Sequence, residues 1–362
     1  MIDGFDLAYW DTIKPPHLEQ LAREGFFKRG QCIFPSLTNA NNVSIACGCW
    51  PETHGVTTNC YFDQAQGRAR FLEDASFLCA PTIFEKARER GMRSVLLTCK
   101  SKTTKILGRG ADVAVAAEEP TPDIIKRFGS PPPMYSAEIN YWLCELGLDM
   151  LIRQPDIRLL YLHTTDYPMH MWPPQAPESR DHLLKLDGYI GQMVRAAPDA
   201  LVIVTADHGM NYKTCCYDLA QVCANYDTPV KMAVSPVADR LVKHHRGFGG
   251  VAYVYTHHRR DLEKVRETLL SIFGVEEVLD RAEAASRFRL MPSRVGDLVV
   301  LPDRNTVFGN LSEEMEILSP AYRSHGSLYE MDIPLLLHQP EPVTLDTETI
   351  SVNLDLTRLL FP

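Results

Sequence analysis

Phe34-Pro35-Ser36-Leu37-Thr38-Asn39-Ala40-Asn41-Asn42 runs straight into Val43-Ser44-Ile45-Ala46-Cys47-Gly48. Pro and Asn punctuate the first part, Ser, Thr and Asn offer capping side chains, and small and apolar residues follow. The stretch therefore reads as a loop ending in a helix start. Backbone N–H groups at a helix N-terminus suit an anion, and a hydroxyl there can be delivered to a bound phosphoryl group. Thr38 is the candidate nucleophile. A Ser/Thr/Asn-rich segment before a helix is in most proteins only a cap and a turn. What shifts the reading is the rest of the chain, which supplies Asp and His in contexts suited to holding metal ions beside that hydroxyl.

Upstream, Ile2-Asp3-Gly4 reads as the end of a strand emptying into a loop, although almost no strand precedes it. An Asp there, with Gly permitting a tight turn, is a candidate metal ligand at the carboxyl end of a parallel strand, where open α/β sheets place their sites. A helix opened by Pro15-Pro16 and closed by Gly25 follows. Downstream of Thr38, Asn59 offers an amide donor for a phosphoryl oxygen whose charge grows during transfer, while His54 before Gly55 reads as a residue that fixes its loop. A helix over 82–90 leads to the buried strand 94–98, whose end carries Lys100 and Lys102. Lysines at a strand end can point into one crevice and hold an anion as point charges, or simply face solvent.

A helix over 137–152 precedes a strand ending at Leu162, which delivers Asp166 and His170. Spaced four apart, they meet one metal if the loop makes a helical turn, and an Asp/His pair is a set zinc tolerates. After a helix over 179–197, the β-prone run 200–205 ends in Asp207-His208-Gly209, again a ligand arrangement at a strand end. From about Asp239 the character changes: strand 249–255, helix 261–273 and strands 298–301 and 305–308 read as a small α/β insertion. The core resumes with His325 in a loop and a strand over 332–338. No repeats appear.

The chain has 362 residues, 45% of them hydrophobic, enough for a large core. Its net charge of −9 gives no general electrostatic case for nucleic acid or an anionic membrane. Any anionic substrate must be held by local cations. The start lacks a basic flank before an apolar run, and no apolar stretch approaches the roughly 20 residues that span a bilayer. A cytoplasmic location is expected. The 10 cysteines form neither a paired zinc module nor a compact disulfide framework, and read as reduced, buried small hydrophobes.

Asp3-Gly4, Phe34-Pro35-Ser36-x-Thr38-Asn39, Asp166-x-x-x-His170, Asp207-His208-Gly209 and Ser324-His325-Gly326 resemble, in that order, the motifs of the alkaline phosphatase superfamily in its nucleotide pyrophosphatase/phosphodiesterase branch. The resemblance covers nearly the whole chain. Within that branch it looks most like the phosphonoacetate hydrolases, through the Asn-rich sequence after Thr38, the segment Thr58-Asn59-Cys60-Tyr61-Phe62-Asp63, and Lys100-x-Lys102. The resemblance implies an α/β fold: an alkaline-phosphatase-like core of residues 1–238 and 319–362, with a mostly parallel central sheet between helices, and an α/β cap of residues 239–318.

It also implies two zinc ions, with manganese or iron as alternatives for Asp/His ligands. Asp3, Thr38, Asp207 and His208 would hold one, and Asp166, His170 and His325 the other. Thr38 and Asn59 would bind the phosphoryl group, and Lys100 and Lys102 the carboxylate of a small phosphonate whose C–P bond is cleaved through a phosphothreonine. The segment Lys243-His244-His245-Arg246-Gly247 resembles part of the same family's cap and receives no role. The rival reading is a phosphodiesterase or nucleotide pyrophosphatase on the same dimetal core. A nucleoside pocket would want aromatic walls, and none can be placed from sequence. The expected partner is a small anionic phosphonate, with neither nucleic acid nor membrane, and a homodimer is allowed.

Overall fold

The uninterrupted apolar run Val95-Leu96-Leu97 is fully buried because its strand, Arg93–Thr98, is covered on both faces and flanked on both edges. It lies between Val113–Ala116 and Ile157–His163, parallel to both. A second sheet places Asp332–His338 between Phe26–Gln31 and Val202–Thr205, antiparallel to both. These elements come from a computed structural model that describes residues 1–239, 243, 246–339 and 347–361.

The two sheets meet at the start of the chain. The Met1 ammonium donates to the Leu162 carbonyl at 2.8 Å, and the Ile2 N–H donates to the Thr205 carbonyl at 2.9 Å. Two residues thus bridge strands Ile157–His163 and Val202–Thr205 without themselves being assigned to a strand. Asp3 leaves this seam fully buried, its N–H donating to the Thr164 hydroxyl at 2.9 Å. Gly4 then turns at φ +74°, where an added Cβ would come within 2.9 Å of the Met169 side chain.

The helices form where caps and apolar faces dictate. Thr82 caps Ile83–Glu89 in a capping box with Glu85. The helix Pro16–Glu24 opens on proline, and the buried Asp187 accepts from the N–H groups of His17 and Leu18 at 3.0 and 2.8 Å. That carboxylate belongs to Pro177–Ala196, so one helix caps another. Among the described residues, no helix is long and apolar enough to cross a membrane.

A four-stranded antiparallel sheet orders Met232–Val234, Ala252–Tyr255, Leu298–Pro302 and Val275–Asp280, with helices Leu262–Leu270 and Arg281–Phe288 against it. Its side chains pack on the loop before Thr38, where the Phe34 and Phe288 rings lie 4.1 Å apart. The run 305–308 departs from expectation. Thr306–Phe308 pairs in parallel with Cys215–Tyr217 instead of joining that sheet.

Candidate active site

The helix that opens the site begins earlier than its sequence suggests. Thr38 is its first residue, in Thr38–Cys47, and Leu37 at the cap supplies no side-chain acceptor. The asparagines that look like turn residues are used inside the helix. Asn41 Nδ2 donates to the carbonyls of Ile33, Pro35 and Leu37 at 3.1–3.2 Å, and its Oδ1 accepts from Ile33 N–H at 2.9 Å. Asn41 therefore fixes the loop from within, and Thr38 and Asn39 at the helix start line one pocket.

The candidate ligands converge there from strand ends far apart in sequence. The helical turn Tyr167–Met171 brings His170 Nε2 within 3.0 Å of Asp166 Oδ2. Ligand atoms of Asp166, His170 and His325 lie within 4.8 Å of one another, as do those of Asp3, Asp166 and His208. Asp207 reaches the same place: its Oδ2 lies 3.5 Å from His208 Nε2, while its Oδ1 accepts from the N–H groups of Gly4 and His208. The Thr38 hydroxyl is 3.2 Å from His208 Nε2. The structure thus brings together Asp3, Thr38, Asp166, His170, Asp207, His208 and His325.

Each imidazole is held by its other nitrogen, which fixes which edge faces the site. His170 Nδ1 contacts the Arg323 carbonyl at 2.9 Å, His208 Nδ1 the Gly209 carbonyl at 3.0 Å, and His325 Nδ1 the Ser36 carbonyl at 2.8 Å. Burial lowers the pKa of His208, and burial with the neighbouring His208 and His170 lowers that of His325, so both rings are neutral, the form that ligates.

The carboxylates show the opposite strain. Burial, then the charges of Asp166 and Asp207, pushes Asp3 up to about 7, and burial pushes Asp207 up to about 6. Asp3 Oδ1 and Asp207 Oδ2 are buried with no hydrogen-bond partner among the described residues. Unpartnered carboxylate oxygens, crowded acids and neutral imidazoles are what a divalent-cation site needs, and the donor set fits zinc-like ions.

Beside these groups, Thr38, Asn59, Lys100 and Lys102 line one pocket. Asn59 Oδ1 accepts from the Asn39 N–H at 3.4 Å and its Nδ2 donates to the Val237 carbonyl at 3.3 Å, so the backbone takes one of its two amide protons. Lys100 Nζ lies 3.4 Å from Asp166 Oδ1. Burial pulls its pKa down, but the carboxylates of Asp166, Asp3 and Asp239 outweigh that and raise it, keeping it charged. Lys102 is ion-paired with Asp239, and burial lowers its pKa against that pull. Neither ammonium faces bulk solvent, with side-chain exposures of 19% and 8%.

Sequence reasoning missed two residues. His163, one residue beyond the strand end read at Leu162, has Nε2 3.3 Å from Asp3 Oδ2, and Asp3, His163 and Asp207 have ligand atoms within 4.8 Å of one another. Asp239 was read only as the boundary of the insertion. His54 is buried, with Ser44 Oγ at 2.7 Å and the Val56 N–H donating to its Nδ1, and fixes its loop. His244 and His245 lie outside the described residues, while Arg246 pairs at the surface with Glu316.

The family model for Type I phosphodiesterase / nucleotide pyrophosphatase matches residues 1–327. Venom phosphodiesterase 2 of Crotalus adamanteus is 26% identical over 241 residues, 62% of this chain and 28% of that protein. Ectonucleotide pyrophosphatase/phosphodiesterase family member 1 of Homo sapiens is 24% identical over 231 residues, 59% of this chain and 23% of that protein. The chain thus spans only about a quarter of the length of these curated relatives. Among solved structures, phosphonoacetate hydrolase from Sinorhizobium meliloti 1021 in complex with phosphonoacetate superposes with a TM-score of 0.89 at 29% identity, covering 99% of this chain and 94% of that one. Murine ectonucleotide pyrophosphatase / phosphodiesterase 5 shares the fold at a TM-score of 0.66 and 18% identity, covering 93% and 86%. With a family model spanning nine-tenths of its length, the chain belongs to the type I phosphodiesterase/nucleotide pyrophosphatase family, with the α/β fold of the alkaline phosphatase superfamily.

Proposed function

We propose that the protein is a metal-dependent hydrolase of this superfamily that cleaves the C–P bond of phosphonoacetate to acetate and phosphate through a phosphothreonine on Thr38. The observation that carries the choice of substrate is the pocket itself: the hydroxyl of Thr38 shares it with two ammonium groups, Lys100 and Lys102. A phosphoryl group at Thr38 with a carboxylate arm toward the lysines suits that arrangement. Likeness to a phosphonoacetate hydrolase over 99% of the chain supports the same substrate.

In this reading Asp3, Thr38, Asp207 and His208 hold one divalent cation and Asp166, His170 and His325 the other, both zinc. Bound there, such ions lower the pKa of a nearby hydroxyl and neutralise oxygens of the transferring phosphoryl group. Thr38 gives up its proton to water, and Oγ1 bonds to phosphorus as the P–C bond breaks. The bonding pair passes to the methylene carbon and spreads into the adjacent carboxylate as an enediolate. Lys100 and Lys102 balance that charge until the carbon takes a proton and leaves as acetate. Asn59 holds a phosphoryl oxygen with its remaining amide proton. Water then hydrolyses the phosphothreonine to phosphate and free Thr38.

Residues 239–318 act in this scheme as a cap on a core of 1–238 and 319–362, in a cytoplasmic enzyme with a small soluble substrate. The experiment compares phosphate release from phosphonoacetate and other small phosphonates with turnover of a nitrophenyl diester. Preference for phosphonoacetate, lost in Lys100→Ala/Lys102→Ala far more than diester hydrolysis is, supports the proposal. Equal loss on both substrates, or preference for the diester, moves the protein to the phosphodiesterase reading.

A further inference from the structure

The helix Thr38–Cys47 carries asparagines at 39, 41 and 42, and their side chains meet different fates. Asn41 is bonded to three backbone carbonyls, and Asn42 is bonded through Nδ2 to His163 and through Oδ1 to the Tyr161 hydroxyl. Asn39 is 5% exposed, yet its Nδ2 has no hydrogen-bond partner among the described residues. It is also the asparagine that lines the pocket of Thr38, Lys100 and Lys102. A buried amide donor left unpaired costs about 1–3 kcal/mol, so one placed in a cleft is matched to something that enters it.

Two further observations favour an anion as that occupant. The N-terminal end of the helix, with its partial positive charge, starts at Thr38 in this pocket without a cap from Leu37, although the Asn39 N–H is taken by Asn59 Oδ1. Two lysines line the same space, Lys100 beside the Asp166 carboxylate and Lys102 paired with Asp239, and both acids line it too. The neighbouring carboxamide, Asn59, has committed Oδ1 to the Asn39 N–H and one amide proton to Val237, so much of its capacity goes to holding the loop. Asn39 supplies a second side-chain donor beside the one amide proton that Asn59 retains.

We propose that the Asn39 carboxamide contacts the substrate, donating through Nδ2 to an oxygen of a tetrahedral phosphorus oxyanion bound at Thr38. The proposal rests on the phosphoryl-transfer reading of this site but not on the C–P bond. It makes Asn39 a binding residue next to the nucleophile, with a side-chain donor where an apolar residue would offer none.

The test uses the full chain loaded with zinc and measures binding of inorganic phosphate by calorimetry, alongside KM for phosphonoacetate and the melting temperature. A hydrogen bond to a charged group is worth about 1.5–3 kcal/mol, so Asn39→Ala should weaken phosphate binding and raise KM by roughly 10- to 100-fold with little change in melting. Asn39→Asp removes the donor and adds a negative charge, and should bind phosphate more weakly still; Asn39→Ser gives a third variant if Asp prevents folding. Phosphate binding within twofold of the parent in Asn39→Ala and Asn39→Ser overturns the proposal. So does a zinc-loaded parent that binds no phosphate. A parent whose phosphate binding depends on Asn39 but which releases none from phosphonoacetate leaves the assignment of Asn39 standing and removes the C–P substrate.

Discussion

The Lys102 ammonium is ion-paired with the Asp239 carboxylate, a contact that ties the helix Ser101–Leu107 to the loop following Met232–Val234. Both side chains are 8% exposed. Removing one partner of a buried pair takes away a compensating charge from the other, and here that other charge lines the pocket. Lys102→Ala alone should therefore strip the pocket of a cation and expose an anionic substrate to Asp239. Lys102→Ala/Asp239→Asn should recover part of the loss in kcat/KM for phosphonoacetate, with a coupling of about 1–3 kcal/mol in the double-mutant cycle. Additive effects would show that Asp239 does not act on the bound anion.

Thr38→Ala removes the atom that bonds to phosphorus in the proposed mechanism but leaves six other convergent ligand side chains and the asparagine bonds of its helix in place. Phosphate release should fall to background while bound-metal content and melting temperature stay near those of the parent. Metal analysis beside a phosphate assay checks this, and substantial residual turnover would remove Thr38 from the chemistry.

Asp3 is fully buried, repelled by Asp166 and Asp207, and has an oxygen without a partner. A carboxylate so placed is stabilising only while a cation faces it. Stripped of metal by a chelator, the parent should melt at a lower temperature than Asp3→Asn stripped in the same way, a difference of about 1–3 kcal/mol; with zinc restored, the parent should become the more stable of the two. An unchanged order in both states would mean that Asp3 is not a ligand.

His54 reports on acid stability away from the site. Burial lowers its pKa from 6.5 to about 3, so the folded protein resists a proton that the unfolded chain takes up near pH 6.5. The stability this neutral ring contributes is therefore present above about pH 6.5 and lost as pH falls toward 3, by up to about 1.4 kcal/mol per pH unit. His54→Gln should flatten the fall of denaturant-midpoint stability between pH 6 and 4. A slope equal to the parent's would mean that another group takes up that proton.

The sequence shows most of the layer plan because its strands are either fully covered, like Val95-Leu96-Leu97, or end in punctuation such as Asp207-His208-Gly209, and both signals are local. Of the seven convergent side chains, Asp3, His208 and His325 each precede a glycine, Asp207 closely follows a strand end, Asp166 and His170 show a four-residue spacing, and Thr38 stands in a turn marked by Pro35 and Asn39. Less legible were contacts set by distant chain. Nothing near Asp239 in sequence marks it as the partner of Lys102, and His163 looks like the tail of a strand until Asp3 arrives from the other end of the chain. Thr306–Phe308 went to an unexpected sheet because its β-prone residues specify a strand but not a neighbour. The helix start at Thr38 was hidden because Asn41 and Asn42, whose type favours turns, are satisfied by buried partners inside the helix.

Ser36 accepts at its carbonyl the contact from His325 Nδ1, donates through its hydroxyl to the Ser327 carbonyl, and accepts there from the Gly326 N–H. The loop before Thr38 is thereby clasped by residues some 290 positions later in the chain. Loop closure over such a span comes late among folding events, since the entropy must be lost before the contact can form. Nascent or truncated chains lacking the segment around His325 should therefore be inert toward phosphoryl compounds however well their first 200 or so residues have settled, and catalytic competence should switch on only once the final strand is in place.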